Sequence, residues 1–235
     1  MKATPQWPAL TAGYLRLKSP YPLHVNFRNG NQVDLQDRND LATLWLVFFP
    51  PTYPLLPTDR RIVDCGANIG TFTLYAATQL PEAHIVSAEP FPQTFARFSS
   101  LLADNHLEAR VTAIRAALTG SAGTVHLDDR PEIGSQFRSI SSTGVAVEGI
   151  PLVSLLDNAG WDTVDFLKID IEGGEYDALL STAPQVLRRI SRIAMEYHPD
   201  PRKAQLLRYL EDAGFALQSE RDDGGGYGIV HLIRK

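Results

Sequence analysis

The sequence predicts an α/β fold with a mostly parallel sheet that carries helices on both faces. From Arg61 onward, short apolar runs rich in Val and Ile alternate with longer helical segments, as repeated strand-helix-strand units require. The length supports one domain, because 235 residues with 44% hydrophobic composition suffice for one well-cored unit and are few for two. We expect a single structural domain, with residues 61–235 as its core and residues 1–60 as an N-terminal elaboration.

The N-terminal elaboration is predicted to contain a hairpin and a helix. Residues 22–35 alternate around the turn sequence Arg28-Asn-Gly-Asn, which is typical of a β-hairpin. An apolar helix is expected from Asn39 to Phe49, with Asn39 or Asp40 as its cap, and the prolines that follow end it. Three aromatic residues of this section are expected in the core in preference to a substrate entrance: Trp45, Phe48 and Tyr53.

The core is predicted to alternate strands and helices along the chain. The expected elements are strand 61–66, helix 70–80, strand 84–89, helix 92–105, strand 111–118, strand 124–127, strand 165–171, a helix from about Glu175, strand 193–197, a helix with Leu206, Leu207, Leu210 and Ala213 on one face, strand 215–219 and strand 229–233. A glycine turn at 224–228 makes the last strand antiparallel to its neighbour. The segment 128–148 is too long for an ordinary connection. It is interpreted either as a functional lid or as a strand-containing insertion.

The first core strand ends in a glycine-rich turn that marks a ligand site. Gly66 and Gly70 bracket this turn, where the backbone must bend sharply and pack closely. About 19 residues after Gly70, the next strand ends at Glu89, whose carboxylate is placed to accept hydrogen bonds from both ribose hydroxyls of an adenosine. Together the two strand ends predict a nucleotide-cofactor site.

The spacing of the glycines indicates which cofactor binds. The segment Asp64-Cys-Gly-Ala-Asn-Ile-Gly lacks the doubled glycine of a dinucleotide site, and Asp64 stands where a phosphate would be repelled. S-adenosylmethionine carries a sulfonium and an ammonium group and no phosphate, so it fits these acids better than NAD. We therefore expect S-adenosylmethionine, and dehydrogenase activity is disfavoured.

Further acids follow the later strands, and they are expected at the same edge of the sheet. Asp170 and Glu172 lie on one side of an extended backbone, and Glu196 precedes His198 by two residues. Methyl transfer to a hydroxyl requires a base, for which Asp170 and His198 are competing candidates. No metal is expected, although Asp170 and Glu196 are an alternative pair of ligands for a divalent ion. Glu172 and Glu175 are equally open to a helix-capping role.

Composition excludes several function classes. The net charge of -5 and a pI near 5.7 give no basic surface for nucleic acid. The N-terminus has no continuous apolar signal core, and the run Leu44 to Phe49 is too short for a bilayer, so a cytosolic protein without membrane association is expected. The single cysteine, Cys65, excludes an internal disulfide and is expected to be a small core residue.

Four motifs together resemble the FkbM family of S-adenosylmethionine-dependent methyltransferases. They are Val63-Asp-Cys-Gly-Ala-Asn-Ile-Gly, Ala88-Glu-Pro-Phe, Leu167-Lys-Ile-Asp-Ile-Glu-Gly-Gly-Glu and Glu196-Tyr-His, within a match over about residues 23–200. Position 174 is Gly where Ala is often found. The resemblance implies a Rossmann-like, seven-stranded methyltransferase sheet, and usually O-methylation of a small molecule, natural product or saccharide.

The resemblance also implies the roles of individual residues. The expected cofactor contacts are Asp64, Gly66, Ala67, Asn68, Gly70, Glu89, Pro90, Phe91, Ala116 and Asp170. The expected catalytic residues are Asp170, Glu196 and His198. An N-methyltransferase acting on a small amine is an alternative, as is a cofactor-binding module without catalysis, although the latter is expected to lack the second group of acids. The acceptor and the oligomeric state are left open.

Overall fold

The computed structural model describes residues 4–17, 21–48, 52–129 and 139–235. Three predictions fall on residues outside these ranges: the end of the apolar helix at Phe49, the first prolines after it, and the middle of the 128–148 connection.

The N-terminal elaboration contains helix α1 (Trp7–Tyr14), strands β1 (Leu23–Asn26) and β2 (Gln32–Leu35), and helix α2 (Arg38–Phe48). The two strands pair antiparallel, so the predicted hairpin is present. Helix α1 was not predicted. The predicted cap of α2 was wrong, because the Asp37 carboxylate accepts the N–H groups of Asn39 and Asp40 at 2.8 and 3.0 Å. The Asp40 carboxylate instead accepts the N–H of Gln36 at 2.7 Å.

The core follows the predicted alternation of strands and helices. Its elements are β3 (Arg61–Cys65), α3 (Thr71–Gln79), β4 (His84–Ala88), α4 (Pro92–Asp104), β5 (Val111–Ile114), β6 (Ala117–Leu118), β7 (Gly123–Leu127), β8 (Ile140–Ser141), β9 (Val145–Ile150), α5 (Leu152–Asn158), β10 (Val164–Ile169), α6 (Glu175–Leu180), α7 (Pro184–Leu187), β11 (Ile190–Tyr197), α8 (Lys203–Asp212), β12 (Phe215–Gly224) and β13 (Tyr227–Arg234). The short helices α5 and α7 were not predicted.

The central sheet has seven strands in the order β12-β13-β11-β10-β3-β4-β5. Strands β11, β10, β3, β4 and β5 are parallel, and β13 is antiparallel to both β11 and β12. This confirms a mostly parallel sheet with an antiparallel last strand. From β3 the chain continues to β4 and β5 on one side of the sheet, and from β10 it continues to β11 on the other side. In sheets of this type a ligand binds where the strand order reverses, which here is at the carboxyl ends of β3 and β10.

A second sheet of four strands, ordered β6-β9-β7-β8, follows the first half of the core. The predicted strand 111–118 is therefore two strands, because residues 117–118 pair with β9 instead of continuing beside β4. In the described part of the 128–148 connection, β8 and β9 both pair with β7. These residues therefore form a strand-containing insertion.

Buried side chains cover both faces of the central sheet. On one face, Leu41 and Leu44 of α2 share a cluster with Phe72 and Phe98 from α3 and α4. The N-terminal elaboration thus contributes to the same core as the first half of the sheet, and burial of these side chains stabilises both. Over the described ranges, none of the helices has the length and apolar character that crossing a bilayer needs.

Candidate active site

The turn after β3 requires glycine because its backbone lies very close to neighbouring residues. Gly66 has φ of +82°, and a Cβ there would lie 1.7 Å from the carbonyl oxygen of Asp170. Gly70 has φ of +90°, and its Cβ would lie 2.4 Å from a ring carbon of Phe98. Only glycine satisfies both the left-handed backbone and the contact distances, so the ends of β3 and β10 approach each other at this turn.

Glu89 follows β4 and is fixed by two backbone N–H groups. Its Oε2 accepts the N–H of Asn68 at 2.9 Å, and its Oε1 accepts the N–H of Phe91 at 2.9 Å. The residue is 7% exposed, and this burial raises the pKa of its carboxyl group to about 7, against the opposite effect of the two N–H groups. Glu89 therefore links the glycine turn to α4 and presents a buried carboxyl group to the cavity.

Asp64 and Lys168 form a buried ion pair beneath the glycine turn. The Lys168 Nζ lies 3.0 Å from Asp64 Oδ1 and donates to the carbonyl of Gly66 at 2.8 Å. Thr73 donates its hydroxyl to Asp64 Oδ2 at 2.8 Å. Burial would lower the pKa of Lys168, but the carboxylates of Asp64 and Asp170 raise it above its ordinary value. The charge of Asp64 is thus compensated inside the protein, and its side chain supports the turn.

The carboxyl edge of the sheet opens into a cavity of about 480 Å³. The predicted site residues among its lining are Gly66, Ala67, Asn68, Glu89, Pro90, Phe91, Ala116, Asp170 and Glu196. Asp64, Gly70 and His198 are not part of the lining. Asp64 and Gly70 lie beneath the turn, where Asp64 contacts Lys168 and Gly70 packs against Phe98.

Two carboxyl groups meet at the end of the cavity formed by β10 and β11. Asp170, Glu196 and His198 each offer a side-chain atom within 4.8 Å of the others. Burial, followed by the nearby charge of Asp170, raises the pKa of Glu196 to about 8. This end of the cavity can therefore hold or accept a proton near neutral pH.

His198 lies between two glutamates. Its Nδ1 is 2.9 Å from Oε1 of Glu175, which also accepts the His198 backbone N–H at 2.9 Å, and its Nε2 is 3.2 Å from Oε2 of Glu172. Burial would lower the pKa of His198, but these two glutamates raise it to about 11. An imidazolium has no free lone pair to accept a substrate proton. Of the two candidate bases, this geometry favours Asp170.

Glu175 also clarifies the capping alternative. It is fully buried at the start of α6, and its Oε2 accepts the N–H of Gly173 at 3.0 Å. One carboxylate thus serves both the turn before the helix and the imidazole. Glu172 has φ of +55° and lines the cavity, where its side chain pairs with His198.

Sequence reasoning missed several residues of the cavity wall. Helix α2 contributes one face, with Asn39, Ala42, Thr43 and Leu46 at helical spacing. This helical spacing was the sequence signal that could have identified the cavity-facing side of α2. Arg221 and Asp223 come from β12. Tyr53, for which the core was preferred over a substrate entrance, is buried and also lines the cavity. Its hydroxyl donates to Asp170 Oδ2 at 3.4 Å across 117 residues of sequence.

Two solved structures that share this fold are methyltransferases. The FkbM methyltransferase of Methylobacillus flagellatus KT aligns over 97% of this chain and 58% of its own, with a TM-score of 0.57 and 14% identity. The METTL16 methyltransferase domain aligns over 98% of this chain and 92% of its own, with a TM-score of 0.54 and 12% identity. These likenesses confirm a Rossmann-like methyltransferase fold.

The sequence comparisons give the family. The model of the methyltransferase FkbM domain matches residues 64–217, so the chain belongs to the FkbM methyltransferase family. Methyltransferase sdnD of Sordaria araneosa is 28% identical over 200 residues, which is 71% of this chain and 77% of the relative. The 31-O-demethyl-FK506 methyltransferase FkbM of Streptomyces tacrolimicus is 22% identical, over 68% of this chain and 74% of the relative. The protein is an S-adenosylmethionine-dependent methyltransferase.

Proposed function

We propose that this enzyme methylates a hydroxyl group of a small molecule, natural product or saccharide, with Asp170 as the base that receives the hydroxyl proton. The observation that carries the proposal is the position of Asp170, which lines the cavity at the end of β10, the strand that pairs with β3 and its glycine turn. A carboxylate in that position is placed beside an acceptor bound next to the cofactor.

The cofactor half of the cavity is proposed to be the part formed by the glycine turn, Glu89 and the residues after β5. The side-chain Oδ1 of Asn68 is buried without a hydrogen-bond partner among the described residues, so it is available to a ligand group. The Glu89 carboxylate is proposed to accept hydrogen bonds from the ribose hydroxyls. Bound S-adenosylmethionine supplies an electrophilic methyl group.

The residues of the acceptor half then perform three tasks. They would hold the acceptor hydroxyl beside the methyl group of the cofactor, exclude water, and take up the hydroxyl proton during methyl transfer. Asp170 is proposed to take the proton, and Glu196, with a pKa near 8, to share it. His198 is proposed to hold Glu172 in place as a fixed cation.

The choice of oxygen as the acceptor atom rests on this carboxylate pair and on one relative. The name of the Streptomyces tacrolimicus relative describes it as a methyltransferase of 31-O-demethyl-FK506. A small amine is the alternative acceptor, because a carboxylate would also attract its ammonium form.

Labelled methyl transfer tests the proposal. Wild-type protein is incubated with S-adenosyl-L-[methyl-14C]methionine and a panel of hydroxyl and amine compounds, and products are analysed by mass spectrometry. We expect label on oxygen, and a loss of roughly 100-fold or more in kcat for Asp170→Asn with the cofactor Kd almost unchanged. Label on nitrogen, or a fully active Asp170→Asn, would contradict the acceptor atom or the base, respectively.

A further inference from the structure

Tyr53 enters the active site from outside the methyltransferase core. It lies in the irregular segment between α2 and β3, its residue is only 5% exposed, and its ring packs edge-on against Phe72 with the centroids 5.2 Å apart. The ring packing explains its burial. It does not explain why the hydroxyl reaches into the cavity.

The hydroxyl contacts one particular oxygen of Asp170. Tyr53 donates to Oδ2 at 3.4 Å, and the Lys168 Nζ lies 3.9 Å from the same oxygen. Among the described residues, the side-chain hydrogen bond to Asp170 goes to Oδ2 and none goes to Oδ1. The backbone beneath it is also fixed, because the N–H of Asp170 donates to the carbonyl of Cys65 at 3.1 Å.

This asymmetry gives the two oxygens different roles. An oxygen that already accepts a hydroxyl and faces an ammonium is a weaker proton acceptor than its partner, and fixing it restrains rotation of the carboxylate. A donor at 3.4 Å is at the long end for a hydrogen bond, and such contacts often shorten when the substrate binds.

We infer that Tyr53 is a positioning residue for methyl transfer: its hydroxyl holds Oδ2 of Asp170, so that Oδ1 faces the acceptor hydroxyl. The inference rests on the proposed function, because it takes Asp170 as the base. It also gives the N-terminal elaboration a part in arranging the active site, since that segment supplies Tyr53 as well as the α2 face of the cavity.

The substitution Tyr53→Phe tests the inference, because it retains the ring against Phe72 and removes only the hydroxyl. We expect kcat to fall roughly 10- to 100-fold, while the cofactor Kd and the Tm stay close to those of the wild type. Tyr75→Phe is the matched control. Tyr75 also packs edge-on against an aromatic ring, that of Phe48, with the centroids 5.1 Å apart. It does not line the cavity, so removing its hydroxyl should leave kcat unchanged.

The double variant separates positioning from a general structural effect. If Tyr53 acts through Asp170, then Tyr53→Phe causes no further loss of kcat when Asp170 is already Asn. A Tyr53→Phe variant as active as wild type, or an equal loss of kcat in both backgrounds, would overturn the inference while leaving the proposed function intact. If Asp170→Asn alone is fully active, it is the proposed base that fails.

Discussion

The ammonium of Lys168 lies 3.0 Å from the carboxylate of Asp64, with both side chains almost completely buried. These residues are paired in register on β10 and β3, the two strands at the centre of the sheet where the chain direction divides. Lys168 also donates to the carbonyl of Gly66, so one side chain connects the central strands to the glycine turn. The pair therefore lies beneath the active site and holds the glycine turn against the central strands.

We expect Lys168→Met to reduce the free energy of unfolding by about 3–5 kcal/mol, because Asp64 would remain buried without its counter-charge. Urea unfolding followed by circular dichroism measures this. Lys203→Met is the control, since Lys203 pairs with Glu220 at a partly exposed site, where loss of an ion pair costs about 1 kcal/mol or less. Equal losses of unfolding free energy in the two variants would show that the buried pair contributes no more stability than the partly exposed one.

Gly66→Ala should destabilise the protein by about 3 kcal/mol or more, because the added Cβ meets the Asp170 carbonyl in a left-handed backbone conformation. Gly160→Ala isolates the backbone contribution. Gly160 has φ of +65° with nothing within 4 Å of its Cβ position, so we expect a loss of about 1–2 kcal/mol there. Thermal unfolding of both variants checks the difference. Equal Tm values would argue against a close approach of β3 and β10.

Cofactor binding should weaken as the pH falls below about 7. Burial raises the pKa of Glu89 to about 7, and only its ionised form can accept hydrogen bonds from both ribose hydroxyls with full strength. Above pH 7 the carboxylate is already ionised and the affinity should level off. Titration calorimetry with S-adenosylmethionine between pH 6 and 9 measures the trend.

Glu89→Gln is the matching variant for this pH dependence. It should weaken binding at pH 8 by about 1.5–3 kcal/mol, as expected when a charged hydrogen-bond acceptor is lost, and it should remove the pH dependence. Glu82→Gln, at an exposed position beside β4, should bind like the wild type. An unchanged affinity for Glu89→Gln would rule out the proposed ribose contact.

His198 should remain protonated up to about pH 9. Glu172 and Glu175 raise its pKa from 6.5 to about 11, so the charged form persists well above neutrality. The stability that this charge contributes is complete below the unfolded pKa of 6.5 and is lost progressively as the pH rises from there through the folded pKa. Nuclear magnetic resonance of labelled histidine reports the protonation state. Glu175→Gln should lower this pKa, whereas Asp177→Asn, on the exposed side of α6, should not. A wild-type midpoint near 6.5 would restore His198 as a candidate base.

Much of the site could be predicted because strand ends are encoded locally. The apolar runs before Asp64, Glu89 and Asp170 fix where each strand stops, and parallel alternation brings the carboxyl ends to one edge. Asp170 and Glu89 line the cavity as this reasoning implies. The second sheet was not foreseen, since residues 117–118 continue an apolar run and only their pairing with β9 separates them from β5.

The sequence by itself determined the fold class, the cofactor-type glycine turn and the family, because each depends on spacing within short segments. Only the tertiary structure decided what each charged side chain does there. Asp64 is neutralised by Lys168, His198 is held between two glutamates, and Tyr53 reaches Asp170 from another part of the chain. The charge state of a side chain and the residues that it contacts depend on burial and on partners distant in sequence. Local residue patterns encode neither of these.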